Sequence, residues 1–122
     1  MGNRLEIETR AMDYAVRAIQ FFRHLKRTRD DVGAILGKQY LRSATSIGAN
    51  LIEARAGESR KDFVHKCSIA QKEARESLYW LELASRVELV KPIRLNPLIQ
   101  ETRELLAIIT SIIRNTKARS DS

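Results

Sequence analysis

Cysteine occurs once in the 122-residue chain, at Cys67, histidine twice, proline twice and glycine five times. One cysteine excludes an internal disulfide framework and fits a reducing compartment. Two histidines and one cysteine, spread along the chain, argue against a metal site built within one subunit. No uninterrupted apolar run approaches the ~20 residues that a membrane-spanning helix needs. The opening MGNRLEIETR has no apolar stretch after its first charge, which argues against a signal peptide. A soluble, cytoplasmic protein is therefore expected. With glycine and proline scarce, Ala, Leu, Ile, Glu, Lys and Arg dominate, a mixture that favours helix.

The hydrophobic content is 43%, enough to bury a real core, and the length suits one domain spanning 1–122. The net charge of +7 and a pI near 10.0 point to an anionic partner, nucleic acid first. That charge is uneven. Residues 1–42 carry nine Lys/Arg against five Asp/Glu, residues 43–90 seven of each, and residues 91–122 six against three. The excess lies on either side of a neutral middle.

Apolar spacing predicts four helices, over about 9–25, 32–56, 59–88 and 97–114, with 115–122 as a frayed tail. In the first, Ala11, Ala15, Ala18, Phe22 and Leu25 step by four and three, with Tyr14 and Ile19 widening the stripe. In the second, Tyr40, Ala44, Ile47, Leu51 and Ala54 do the same, and Gly57 supplies a C-terminal stop. Ser59 and Asp62 stand as in a capping box at the start of the third. Phe63, Cys67, Ala70, Ala74, Ser77, Leu81 and Ala84 then give the longest unbroken heptad. Asn96 and Pro97 are placed as N-cap and first residue of the fourth, which carries Leu98, Leu105, Ile109 and Ile112 beside a second row of Ile99, Leu106 and Ile113. Long amphipathic helices with short loops predict an all-α, antiparallel up-down-up-down four-helix bundle.

The segment RSATSIGANLIEARAGESRKDFVHKCSIAQKEARESLYWL, residues 42–81, is the most patterned. Arg42, Ser46, Asn50 and Glu53 share one face of helix two; Lys66, Glu73, Glu76 and Trp80 share one face of helix three. Folding the hairpin sets Glu53 within about a turn of Lys66 and Arg42 near Glu73 or Glu76. Two ion pairs are expected to bridge the hairpin, with Ser46 and Asn50 supplying hydrogen bonds between them. Gly48 inside a helix costs ~1 kcal/mol against Ala, so a close approach by another helix or by a partner subunit is expected there. His65 and Cys67 project about 160° apart on one helix, which separates them as a catalytic pair. Nor do the glutamates match the Glu-x-x-His pattern of carboxylate metal sites in helical bundles. No cofactor is implied.

The strings RSATSIGANLIEA, SRKDF and KEARESLYWL, in that order, resemble the family of 23S rRNA-intervening-sequence proteins, over about residues 9–114. The resemblance implies small helical bundles forming ring-shaped homopentamers, encoded in inserts within ribosomal RNA genes and at other loci. It also implies distant kinship with the basic, pentameric accessory protein of diversity-generating retroelements. It implies no enzymatic activity.

The cationic clusters remain as candidate sites. In an up-down bundle, Arg23, Lys26, Arg27 and Arg29 share an end with Lys91 and Arg94. These six form a candidate surface for the RNA or DNA backbone, with no aromatic platform to read bases. Arg60, Lys61, Arg114, Lys117 and Arg119 gather more loosely at the other end. The expected partners are thus further copies of the chain and RNA or DNA, or else a protein partner that a ring-shaped scaffold would engage.

Overall fold

The computed structural model describes residues 3–120, with side chains described over 6–119. It contains α1 (Asn3–Thr28), α2 (Asp31–Arg55), α3 (Arg60–Arg86) and α4 (Pro92–Ser120), and no strand among the described residues. Each helix packs on its neighbour in the chain, and α1 also meets α4 along a slimmer seam. One cluster of buried side chains runs through all four.

The third helix follows its heptad throughout. Its buried residues are Phe63, Cys67, Ala70, Ala74, Ser77, Leu81 and Ala84. Ser59 caps it, its hydroxyl accepting the Asp62 N–H at 3.0 Å. At the far end Leu89 N–H donates to the Ala84 carbonyl and Glu88 N–H to that of Ser85, with Glu88 left-handed at φ 56°. That is a Schellman stop made without glycine. On α2 the expected Tyr40, Ala44, Ile47, Leu51 and Ala54 are buried, joined by Gly33, Gly37 and Ser43. Asp30 caps this helix through the Gly33 N–H at 2.8 Å.

Four expectations change. First, α1 begins at Asn3, not near Thr9, because Ile7 extends the buried stripe by a turn. Ile19, read as core, is instead 37% exposed. Second, Gly57 follows the end of α2 as expected but does not stop it by a left-handed turn, since no glycine among the described residues has positive φ. Its missing side chain matters sterically: a Cβ there would lie 3.1 Å from the Ala54 carbonyl and 3.3 Å from Asp62 Cβ. Third, α4 begins at Pro92, and Asn96-Pro97 lies inside it. Starting at Pro97 would release Leu95, which is 1% exposed and which burial stabilises by about 1.5–3 kcal/mol. Fourth, α4 runs to Ser120 instead of fraying at 115, since Ile113 and Thr116 are buried. Residues 121–122 of the expected tail lie outside the described residues.

Gly48 has the packing reason its position implied. A Cβ on it would stand 3.3 Å from Ala11 Cβ, so α1 is what approaches, not a partner.

Candidate nucleic-acid interface

The cations at the end of α1 come from its last turns and the turn that follows. Lys26 and Arg27 occupy the last turn, where the carbonyl ends of the helix favour positive charge. Arg29 follows at φ 58°, its N–H donating to the Lys26 carbonyl. Thr28 helps close the helix by donating its hydroxyl to the Leu25 carbonyl at 2.6 Å. Lys91 and Arg94 flank the start of α4. The two turns are neighbours: an added Cβ on Gly33, just past the first turn, would meet Leu89 of the second at 3.7 Å.

Arg23, Lys26, Arg27, Arg29, Lys91 and Arg94 are all exposed. None is within ion-pair distance of a carboxylate among the described residues. Of the nearby acids in sequence, Asp30 is engaged in capping α2. Lys26 Nζ lies 5.9 Å from the Phe22 ring centroid, a contact that leaves the ammonium accessible.

The polar face of the α2–α3 hairpin is assembled differently from expectation. Arg42 does bridge the helices, meeting Glu73 at 3.4 Å and also Glu76. Trp80 Nε1 donates to the same Glu76 at 3.1 Å. That indole hydrogen bond, with Arg42 behind it, holds the Glu76 carboxyl below its usual range. No ion pair joins Glu53 to Lys66 among the described residues; Glu53 stands exposed on α2, whereas Lys66 is half-buried on α3. Ser46 and Asn50 do not link the helices either. Ser46 donates to the Arg42 carbonyl at 2.7 Å and Asn50 to that of Ser46 at 2.8 Å. Such bonds within a helix satisfy the side chain locally.

Sequence periodicity missed two features. One is a set of ion pairs on other seams: Arg10 with Glu101 at 2.7 Å and Glu104 at 2.8 Å, Arg55 with Glu8 at 3.0 Å, and Arg103 with Glu82 at 2.9 Å. Burial aside, the two carboxylates raise the pKa of Arg10 further above its ordinary value.

The other is a buried layer of hydroxyls from all four helices. Tyr14 and Thr102 hydroxyls are 2.6 Å apart, and those of Ser43 and Ser77 are 2.8 Å apart. Ser43 also donates to the Tyr40 carbonyl and Thr102 to that of Leu98. The Tyr40 hydroxyl is buried near that of Tyr14 and forms no well-aligned hydrogen bond among the described residues. Burial raises the pKa of both tyrosines. One signal was readable beforehand: Thr102 fills the position midway between Leu98 and Leu105 on the inward stripe of α4.

Cys67 is buried and His65 exposed, so the two do not converge. No group of three or more His, Cys, Asp or Glu able to hold a metal occurs among the described residues. Among the described residues, no helix is long and apolar enough to cross a membrane.

A comparison with solved structures finds a protein of unknown function from the S23 ribosomal protein family of Bacteroides thetaiotaomicron. It is 36% identical with a TM-score of 0.85, over 91% of this chain and 97% of that one. No curated protein matches. The family model described as 23S rRNA-intervening sequence protein matches residues 3–111, which takes in all of α1 to α3 and most of α4. With most of its length under that match, and with the ordered motifs of α2 and α3 inside it, the chain belongs to the 23S rRNA-intervening sequence protein family.

Proposed function

We propose that this protein is a non-enzymatic, self-assembling, antiparallel up-down-up-down helical bundle that grips the backbone of RNA or DNA through the end formed by the α1–α2 and α3–α4 turns. The observation that carries this is the set of six exposed cations there, none ion-paired to a carboxylate among the described residues. Antiparallel packing is supported by contacts whose order reverses along α1 and α2: Glu8 pairs with Arg55, Ala11 approaches Gly48, and Phe21 packs on Tyr40.

Self-assembly is supported by a second apolar stripe on α1. Met12, Val16 and Ile19, at four- and three-residue steps, are 57%, 46% and 37% exposed. An amphipathic helix buries one stripe; a second one facing outward suits a further copy. The ring of five that the family resemblance implies would repeat the cationic end five times around an axis. Binding would then depend steeply on salt and little on sequence, because phosphates carry no base identity.

The test is binding of unrelated RNA and DNA oligonucleotides at about 50 mM salt, where counterion release is most favourable. Comparable affinity for unrelated sequences is expected, and absence of binding would contradict the proposal. A second reading, a scaffold for a protein partner, has its own observation. Tyr79 is 58% exposed and packs edge-on against Trp80 at 5.1 Å, an aromatic pair of the kind enriched at interfaces.

A further inference from the structure

The continuation of α4 to Ser120 has a chemical consequence at the opposite end of the molecule. It carries Arg119 to the start of α3, where Arg55, Ser59, Arg60, Thr116 and Arg119 line a pocket of about 360 Å³ together with Glu58. We propose that this pocket is a phosphate site, taking either free phosphate or the terminal phosphomonoester of a nucleic acid.

Guanidiniums from three different helix ends line one opening. Glu58 is the carboxylate among its described lining residues, with Glu8 beside it on Arg55 and Asp62 in the first turn of α3. A guanidinium presents a planar fork of donors that matches phosphate oxygens, and it stays charged at any physiological pH. Arg55 is held in place by Glu8, which meets it at Nε with a 3.0 Å separation. Arg119 is steadied from the other side, its Nη2 reaching the Thr116 hydroxyl at 3.5 Å. The start of α3 adds to the same opening. Ser59 satisfies the Asp62 N–H, but the first-turn N–H groups of Arg60 and Lys61 have no acceptor within the helix, as at any helix start. The Asp62 carboxylate in that first turn opposes an anion, so the arginines must supply the excess of positive charge.

The position limits what the ligand can be. Phe63 is the sole aromatic lining residue and is 8% exposed, so it offers no face on which a base could stack. The phosphate itself is what the pocket recognises. This site is separate from the six cations at the other end and does not rest on their role.

Two probes distinguish the sources. One is inorganic phosphate, compared with chloride at equal ionic strength by thermal unfolding. The other is a short RNA carrying a 5′-phosphate, compared with the same RNA ending in a hydroxyl, by fluorescence anisotropy. The variant is R60Q/R119Q, which spares the Arg55–Glu8 pair; circular dichroism confirms its fold, and R119Q alone serves if the double variant unfolds.

Wild-type protein is expected to bind the phosphorylated RNA about tenfold more tightly, as one lost charge-assisted contact is worth about that factor. R60Q/R119Q is expected to bind both RNAs alike. A variant of Lys26, Arg27 and Arg29 is expected to weaken both RNAs equally and keep the tenfold ratio. If only inorganic phosphate raises the melting temperature, and R60Q/R119Q abolishes that rise, the site takes free phosphate. Absence of both effects in the wild type, or persistence of either in R60Q/R119Q, overturns the proposal.

Discussion

Tyr40 places a hydroxyl in the centre of the molecule, near that of Tyr14 but without a well-aligned hydrogen bond among the described residues. An unsatisfied buried hydroxyl costs about 1–3 kcal/mol, whereas a phenyl ring of the same shape costs nothing of that kind. Tyr40→Phe is therefore expected to raise stability by about 1 kcal/mol, read from urea unfolding. Tyr14→Phe should do the reverse, losing about 1 kcal/mol with the Thr102 hydrogen bond. Glu76 makes a different prediction. Its folded pKa is lowered by Trp80 and Arg42, so its contribution is complete above the ordinary carboxylate pKa and disappears as pH falls through the depressed one. Wild type should lose more stability than Glu76→Gln as pH falls from 5 into the acid range. Parallel curves of melting temperature against pH would contradict this. None of these roles follows from periodicity. A stripe position shows that a tyrosine is buried, but not whether its oxygen finds a partner.

Among the elements, α3 was readable throughout because its heptad is unbroken and every stripe residue is apolar or small. The start of α4 was misread because Asn-Pro is a strong local signal, while burial of Leu95 and Val90 is a tertiary one. The ion pairs divide in the same way. Arg42 with Glu73 and Glu76 came from folding one hairpin, but Arg10 with Glu101 joins the two ends of the chain, which spacing cannot pair. Gly48 offers an element-scale test, since its neighbour is the Ala11 methyl. Ala in place of Gly inside a helix is worth ~1 kcal/mol, and that gain is expected only when the space exists. Gly48→Ala should stabilise the Ala11→Gly background by about that amount and fall short of it in the wild-type background. Equal effects in both backgrounds would remove close approach as the reason for the glycine.

For the whole molecule, the charge distribution in the sequence already separated a neutral middle from basic flanks. The end formed by the α1–α2 and α3–α4 turns draws on both flanks, Arg23 to Arg29 from one and Lys91 and Arg94 from the other, whereas Arg55 and Arg60 at the opposite end belong to the neutral middle. The outward stripe of Met12, Val16 and Ile19 was not legible, because Ile19 also fits the inward stripe and only packing assigns its face. Val16→Glu puts a charge at the centre of that outward stripe. It should reduce the mass by light scattering to that of one 14.0 kDa chain with helicity unchanged. A wild type that is already a monomer would contradict self-assembly, and an oligomer that survives the substitution would place the contact elsewhere.

The claim that the basic end grips phosphates is tested most directly by the salt dependence of RNA affinity. In a plot of log affinity against log salt, each phosphate contact to a single strand contributes a slope of about −0.7. Replacing Lys26, Arg27 and Arg29 with glutamine should flatten the slope by about 2 per bound subunit and weaken unrelated sequences alike. An unchanged slope in a variant that keeps its fold and its mass would contradict the account.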